Sequence, residues 1–373
     1  MSSLGDIIKR RILEKVEHEY ENLKDSSVFE LNVEPRPEFT YVRPEVNMIV
    51  NTITDYIVTG IPQHILLLGW RGSGKTTSVL TVIRTIKELS EELRGKNIFL
   101  EKYFYVNARE HPSQREIFET IIGKSFRGFS FSEILNELYK VLEGRTILVI
   151  DEVDFLQSNE IFYHISRSTK VSMIVIAQNV NWFKSLDSSI QSSFRPTPIF
   201  FKNYDASQLK EILMLRAKYG LKHYEESGIA LIGAIVANNH YGDARIGIRA
   251  LYYAGKQDKW DDETIKQCVE TAVKEVEAYT LNNLSIRDLI ILSTLTEQSD
   301  TNIAYGIILE RLRALGYYTF GKATYFRALN FLQNLGIITL VKKKVSKYYT
   351  YEVQVLIPKE LITDAIKKNI QKI

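Results

Sequence analysis

Short apolar runs alternate with longer stretches of helical periodicity through the first half of the chain. His64–Gly69 (HILLLG), Phe99–Asn107, Thr146–Ile150, Ser172–Ala177 and Thr197–Phe201 read as strands. Strands that are apolar almost throughout are covered on both faces, and strands alternating with helices describe a parallel sheet. Helices are predicted from Lys75 to about Leu89, over Ser113–Ile122 and over Ser130–Leu142. The last begins at a serine with Glu133 three residues on, a capping-box pattern. From Asp205 the strand pattern stops. Ala206–Tyr219, Glu225–Asn238, Ala244–Gly255 and Asp262–Leu281 form a helical run. After Asn283 three helical segments follow, Ser285–Thr296, Ile303–Leu315 and Thr324–Leu335. Two β-rich runs, Ile337–Val341 and Tyr348–Ile357, then flank KKKVSK, and a helix over Pro358–Ile370 comes close to the end. Three helices and a hairpin are the outline of a winged helix-turn-helix.

These patterns give four consecutive blocks: an N-terminal helical extension (1–35), an α/β domain (36–202), a helical lid (203–282) and a winged-helix domain (283–373). In the extension, Ile8, Ile12, Val16, Tyr20 and Leu23 fall at helical spacing with Lys9, Arg10, Arg11 and Lys15 between them. That amphipathic stripe either packs on the protein itself or docks on a membrane or partner. Pro35 and Pro37 mark a break before the main domain.

Composition narrows the function. Apolar residues make up 45% of the 373 and charged residues 25%, a globular balance. The net charge is only +3, so any nucleic-acid surface is local rather than global. The single cysteine, Cys268, excludes an intramolecular disulfide and a cysteine-rich zinc cluster. No run approaches the 18 apolar residues of a membrane span, and the start MSSLGDIIKRRILEK turns charged too early for a signal core. A cytoplasmic protein is expected.

Gly69-Trp70-Arg71-Gly72-Ser73-Gly74-Lys75-Thr76 fits the phosphate-binding pattern GxxxxGK[ST] at every position, between an apolar strand and a helix. Glycines there let backbone N–H groups curl around a β-phosphate at the positive end of the helix. Lys75 reaches the β- and γ-phosphates, and Thr76 offers a hydroxyl to Mg²⁺. Trp70 and Arg71 either contact the nucleotide or only pack. ILVIDEVDFL then puts Asp151 and Glu152 at the C-terminal end of a buried strand, where α/β sheets hold ligands. Asp151 is expected in the Mg²⁺ shell and Glu152 beside an attacking water. Asn179, just past VSMIVIA, either orients water or the γ-phosphate, or is an ordinary turn asparagine.

Together these segments resemble the archaeal origin-recognition and cell-division-control initiators, AAA+ ATPases that mark replication origins. GWRGSGKTT, which includes Thr77, and VIDEVDFL resemble that family's Walker motifs. AQNVNWFKSLDSSIQSS resembles its sensor-1 stretch and IFFKNYDASQLKEILMLRA its entry into the lid. YGDARIGIRALYYAG resembles its sensor-2 helix, which carries the sensor arginine to Arg245. The likeness runs from about residue 42 through the winged domain. It implies an AAA+ sheet with a helical lid, ATP or ADP with Mg²⁺ as ligand, double-stranded DNA as partner, and slow turnover in a nucleotide switch. It also implies helicase loading, contact with other initiator paralogues and association with the nucleoid. Two departures suggest a divergent paralogue. Where the family has an arginine offered to a neighbouring subunit, LDSSI has Ser189, leaving Arg195 as the nearest candidate. RPEVNMI replaces another family stretch and leaves Arg43 as an adenine-side candidate.

In the C-terminal block, Lys322, Thr324, Tyr325, Arg327, Asn330 and Gln333 are expected on the polar faces of a recognition helix, with Phe326, Leu329, Leu332 and Leu335 opposite. Arg327 suits guanine and Asn330 adenine. Lys342, Lys343, Lys344 and Lys347 fall where a wing turns back, suited to phosphates. The competing readings are a transcriptional or damage-response regulator on the same scaffold, and a non-DNA scaffold ATPase whose wing binds protein.

Overall fold

The computed structural model describes residues 8–9, 21–31, 36–93, 95, 98–167, 170–282, 284–345 and 348–370. Five parallel strands form one sheet in the order β2-β3-β4-β1-β5: β1 Ile65–Gly69, β2 Lys102–Asn107, β3 Thr146–Asp151, β4 Val171–Ala177 and β5 Thr197–Phe201. Every residue of β1, β3 and β4 is buried, while the edge strands β2 and β5 carry exposed positions. The central strands are apolar throughout because both their faces are covered. Leu66, Leu68, Leu148, Ile150, Met173 and Val175 join a core with the helices Gln114–Ile122, Phe131–Val141 and Glu160–Ser166. Their neighbours Ile65, Leu67, Ile147, Val149, Ile174 and Ile176 point the other way, into a core with Pro44–Thr59 and Lys75–Leu93. The two-residue period of a strand thus divides one apolar run between two cores. The expected capping box of Ser130 with Glu133 forms, and a second one, Ser113 with Glu116, begins the preceding helix.

The helix Pro44–Thr59 is an addition to the pattern read from sequence. Its signals are Pro44 in the first turn, Gly60 left-handed at the C-cap (φ 71°), and Val46, Ile49, Ile53, Tyr56 and Ile57 on one buried face. The short helices Glu160–Ser166 and Ser188–Ser193 are also additions. At one or two turns each they hold too few periodic positions to stand out.

By its contacts the chain divides into two compact units, one of residues 32–215 and 241–244, the other of 1–31, 216–240 and 245–373. The first holds the sheet. In the second, Glu226–Asn239 packs on Asp262–Asn282, and Lys359–Ile370 packs on both Asp262–Asn282 and Ile286–Leu295. Ile286–Leu295, Thr301–Ala314 and Lys322–Asn334 precede an antiparallel hairpin of β6 (Ile338–Val345) and β7 (Tyr348–Val355).

Two expectations change in this unit. The amphipathic helix expected near the N-terminus lies mostly outside the described residues, but its end is not helical. Leu23 forms an antiparallel bridge with Leu221, and Lys24 N donates to Gly220 O at 2.8 Å. The benzyl ring of Phe29 fills the space beside Gly220, so a tertiary partner takes the segment out of helix. Three of the four lysines expected at the hairpin turn lie on its strand instead. Lys342, Lys343 and Lys344 pair in register with Tyr351, Thr350 and Tyr349, because the tyrosine-rich return strand continues the ladder past them.

Candidate nucleotide site

The phosphate-binding loop joins the last residue of β1 to the first turn of Lys75–Leu93. Gly72 and Gly74 have φ of +67° and +84°, which L side chains rarely adopt. Their space is also taken. A Cβ on Gly72 would meet the Asp243 carboxylate, and one on Gly74 the hydroxyl of Tyr204. Gly72 O accepts from Ala244 N at 3.3 Å, and the Trp70 ring stacks on Tyr241 at 6.3 Å with an interplanar angle of 10°. The segment Tyr241–Ala244 is thus part of the wall around the loop. Trp70 packs on this aromatic neighbour yet remains 60% exposed.

Lys75 is buried, and its Nζ donates to the carbonyls of Gly69 (2.6 Å) and Trp70 (2.8 Å). The loop's own backbone therefore holds the ammonium within the loop. Ser73 Oγ donates to Trp70 O at 2.7 Å and closes the turn. Thr77 follows Thr76 into the helix, and both are half-buried.

Thr76 Oγ1 donates to Asp151 Oδ2 at 2.6 Å, which joins the loop to the end of β3. Glu152 N donates to Asp151 Oδ1 at 2.7 Å, and Tyr105 OH donates to Oδ2 at 3.1 Å. Burial raises the Asp151 pKa, while the Thr76 hydroxyl opposes that rise. A buried carboxylate beside a threonine hydroxyl is an oxygen-only donor set that fits Mg²⁺. Glu152 takes a left-handed backbone (φ 53°), uncommon for a non-glycine residue and a mark of functional sites.

Asp154 lies one turn past this pair. Its carboxylate accepts from Gln178 N (2.7 Å) and Asn179 N (3.1 Å), so it fixes the end of β4 to the end of β3. Burial raises its pKa too. Asn179 is therefore held in place through its backbone. Its side-chain oxygen accepts from Asn181 N at 2.9 Å, the asparagine-turn geometry that was one of its two readings.

Arg43 is 4% exposed behind the loop. Nη2 donates to Ser73 O at 2.7 Å and Nη1 to Lys202 O at 3.0 Å. The guanidinium lies 4.5 Å from the Phe201 ring centroid and 4.6 Å from that of Tyr204. This buried fork supports the loop from behind. Arg195, in contrast, is exposed, and its Nε donates to Ser192 O at 3.0 Å.

Gly69–Thr77, Asp151, Glu152, Asn179 and Arg43 all belong to the sheet unit. Arg245 belongs to the other, half-buried in the first turn of Ala244–Ala254. Sequence reasoning passed over Tyr105, Asp154, Tyr204 and Asp243. The spacing of Asp151 to Asp154 along one loop was a signal for Asp154. Tyr204 and Asp243 stood inside the lid-entry and YGDAR stretches without a role assigned to them, and Tyr105, from a separate strand, left no signal.

Among the proposed DNA contacts, Lys322, Arg327 and Asn330 are exposed and Thr324 is half-buried. Tyr325 corrects the expected polar face. It is 1% exposed, with its ring 5.2 Å from that of Tyr305, while Phe326, expected on the apolar side, is 37% exposed. The helix is rotated so that Tyr325, Leu329 and Leu332 face inward, a spacing of four and three that fits a helix as well as the one assumed. Lys343 Nζ pairs with Glu352 Oε1 at 2.5 Å, which raises its pKa. Lys342 is exposed, the side chain of Lys344 is not described, and Lys347 lies outside the described residues.

A parallel sheet with a phosphate loop after β1 and an Asp-Glu pair at the end of β3 has the form of a P-loop nucleotide-binding fold. Residues 61–184 match the AAA domain family. Within that class the chain resembles the archaeal ORC1-type DNA replication proteins, as the sequence motifs indicated. It is 29% identical over 275 residues to ORC1-type DNA replication protein 3 of Sulfurisphaera tokodaii, covering 69% of each chain. To ORC1-type DNA replication protein 1 of the same organism it is 27% identical over 372 residues, covering 90% of this chain and 91% of that one. The fold matches the Aeropyrum pernix ORC1 protein solved in complex with DNA, with a TM-score of 0.71 and 22% identity over 94% of this chain and 98% of that one. The Aeropyrum pernix ORC2 protein with ADPNP and ADP matches at TM-score 0.59 and 20% identity, over 94% and 99%. Among the described residues no helix is long and apolar enough to cross a membrane, and no cluster of three or more His, Cys, Asp or Glu could hold a metal.

Proposed function

We propose that this protein is an ATP-regulated replication initiator that binds origin duplex DNA and helps load the replicative helicase. The observation that carries the nucleotide part is the hydrogen bond from Thr76 to Asp151, because it assembles a P-loop with an acidic strand end. Thr76 and Asp151 would hold Mg²⁺, which supplies positive charge against the β- and γ-phosphate oxygens. Lys75 binds the phosphates, Glu152 orients and polarises the attacking water, and Asn179 stands beside it on a backbone held by Asp154. Turnover is slow because among these residues none is an arginine supplied in cis to the transferred phosphate. Arg245 senses the γ-phosphate and biases the lid between two arrangements. The replication part is supported by the ORC1-type relatives and by the likeness to a protein solved with DNA. Arg327 and Asn330 would read bases, with Lys322, Thr324, Lys342, Lys343, Lys344 and Lys347 on phosphates.

Fluorescence anisotropy with origin-derived and scrambled duplexes, in ATP and in ADP, tests this. Preferential binding of the origin duplex that changes with nucleotide is expected. No duplex binding at low salt with ATP refutes it and leaves the wing as a protein-docking surface. One observation favours the regulator reading: Ser189 stands where an arginine would reach a neighbouring ATP, and Arg195 is engaged with its own turn. Mapping bound sites across the genome separates the two, since promoters rather than origins would be occupied.

A further inference from the structure

We infer that Tyr105 is a positioning residue for the metal shell, setting which Asp151 oxygen is available to Mg²⁺. The inference rests on the proposed Mg²⁺–nucleotide site and deepens it. Tyr105 is on edge strand β2, and the register places it opposite Val149, two residues before Asp151 on β3. Its hydroxyl crosses to Asp151 Oδ2 at 3.1 Å, the oxygen that also receives the Thr76 hydroxyl at 2.6 Å. The other oxygen, Oδ1, receives the Glu152 backbone N–H at 2.7 Å. All three donors are fixed: one by the loop, one by the main chain, and Tyr105 by a strand of the sheet. A carboxylate held on both oxygens cannot rotate about its terminal bond without breaking a hydrogen bond. Tyr105 is therefore the side chain, outside both sequence motifs, that keeps a donor on Oδ2 and the carboxylate in its plane when the Thr76 hydroxyl turns to the metal. Outer partners of this kind orient metal ligands, and their loss costs roughly 10–100-fold in metal affinity.

Geometry also makes the residue a clean target. Tyr105 is 37% exposed on an edge strand, so Tyr105→Phe removes one oxygen atom and leaves the ring in place. Binding of a fluorescent ADP analogue would be measured in the full-length protein across a Mg²⁺ titration and again in EDTA. For Tyr105→Phe the Mg²⁺ midpoint is expected to rise about 10-fold or more. Affinity in EDTA should stay within about twofold, since the loop that binds phosphate is untouched. A merely structural role would move both readings or neither. An unchanged midpoint overturns the inference, and so does an equal loss with and without Mg²⁺, which would indicate a loosened site. Tyr105→His, which restores an N–H donor on a shorter side chain, is expected to recover part of the midpoint; a midpoint no better than that of Tyr105→Phe overturns the role of the hydrogen bond. A wild-type protein that binds the analogue with no Mg²⁺ dependence would sink the metal reading itself. That result is distinguishable, because it appears before any variant is made.

Discussion

Replacing Arg43 by methionine separates a residue that supports the phosphate loop from one that recognises adenine. Methionine roughly fills the volume but removes the fork. Two hydrogen bonds from a charged donor are lost, to Ser73 O at 2.7 Å and Lys202 O at 3.0 Å, each worth about 1.5–3 kcal/mol net. Two ring contacts near 4.5 Å, on Phe201 and Tyr204, add about 2 kcal/mol when desolvated. Against these stands the cost of burying a guanidinium that is 4% exposed, whose Nε has no hydrogen-bond partner and lies 3.6 Å from Glu45. Breaking a buried charged contact typically costs about 3–5 kcal/mol, and the lower end is expected here because Glu45 keeps some solvent. Urea unfolding would therefore show a loss of about 3 kcal/mol. Titrations with fluorescent ADP and GDP should both weaken, by similar factors, because the loop rather than the base has lost its support. Arg43→Lys should recover little, since an ammonium cannot reproduce the planar fork. A destabilisation below about 1 kcal/mol, or a loss confined to ADP, would refute the positioning argument and return Arg43 to the adenine side.

Lys75→Ala should abolish nucleotide binding, whereas Glu152→Gln should bind normally and lose turnover; equilibrium titration and single-turnover hydrolysis measure the two, and unchanged affinity in the lysine variant removes the loop from the site. Arg245→Ala should reduce the difference between the melting shifts given by ATP and ADP, and an undiminished difference would take Arg245 out of the nucleotide response. Neutralising Lys342 and Lys344 should weaken all duplexes alike and flatten the salt slope by about one unit per lost contact, while changing Arg327 or Asn330 should cost preferred sites about 1–3 kcal/mol more than random DNA. Lys343 should contribute little, because Glu352 already pairs with it. Finally, burial lowers the His64 pKa from 6.5 to about 4, and its Nδ1 accepts from Met173 N. The unfolded chain binds the proton first, so this stabilisation is whole above about pH 6.5 and is lost as pH falls towards 4. It amounts to about 3 kcal/mol at most, and urea midpoints across that range should flatten in a His64→Asn variant.

What the sequence determined by itself is whatever depends on neighbours along the chain. Four of the five strands are within one residue of their expected ends, because an apolar run bounded by turn residues has one reading once helices separate the runs. The exception, β2, starts at Lys102 rather than Phe99, and as an edge strand it has an alternating burial pattern that marks its start poorly. The capping boxes, the glycine loop and the Asp151-Glu152 pair are also local, each a few residues whose chemistry requires that spacing. The tertiary structure decided what depends on residues far apart. The rotation of Lys322–Asn334 is one case: Tyr325 and Phe326 are both aromatic and adjacent, so only the packing of Tyr305 shows which is buried. Leu23 is another, drawn out of a helical stripe by a bridge to Leu221 nearly two hundred positions away. Arg43 reads as a lone cation before a proline until Ser73, Lys202, Phe201 and Tyr204 surround it. Tyr105 and Asp154 reach the site from strand ends that the sheet brings together, by hydrogen bonds whose partners no periodicity encodes. Local spacing thus specifies the loop and the acidic pair proposed to meet a phosphate, and the order of strands in the sheet specifies the residues that hold them in place.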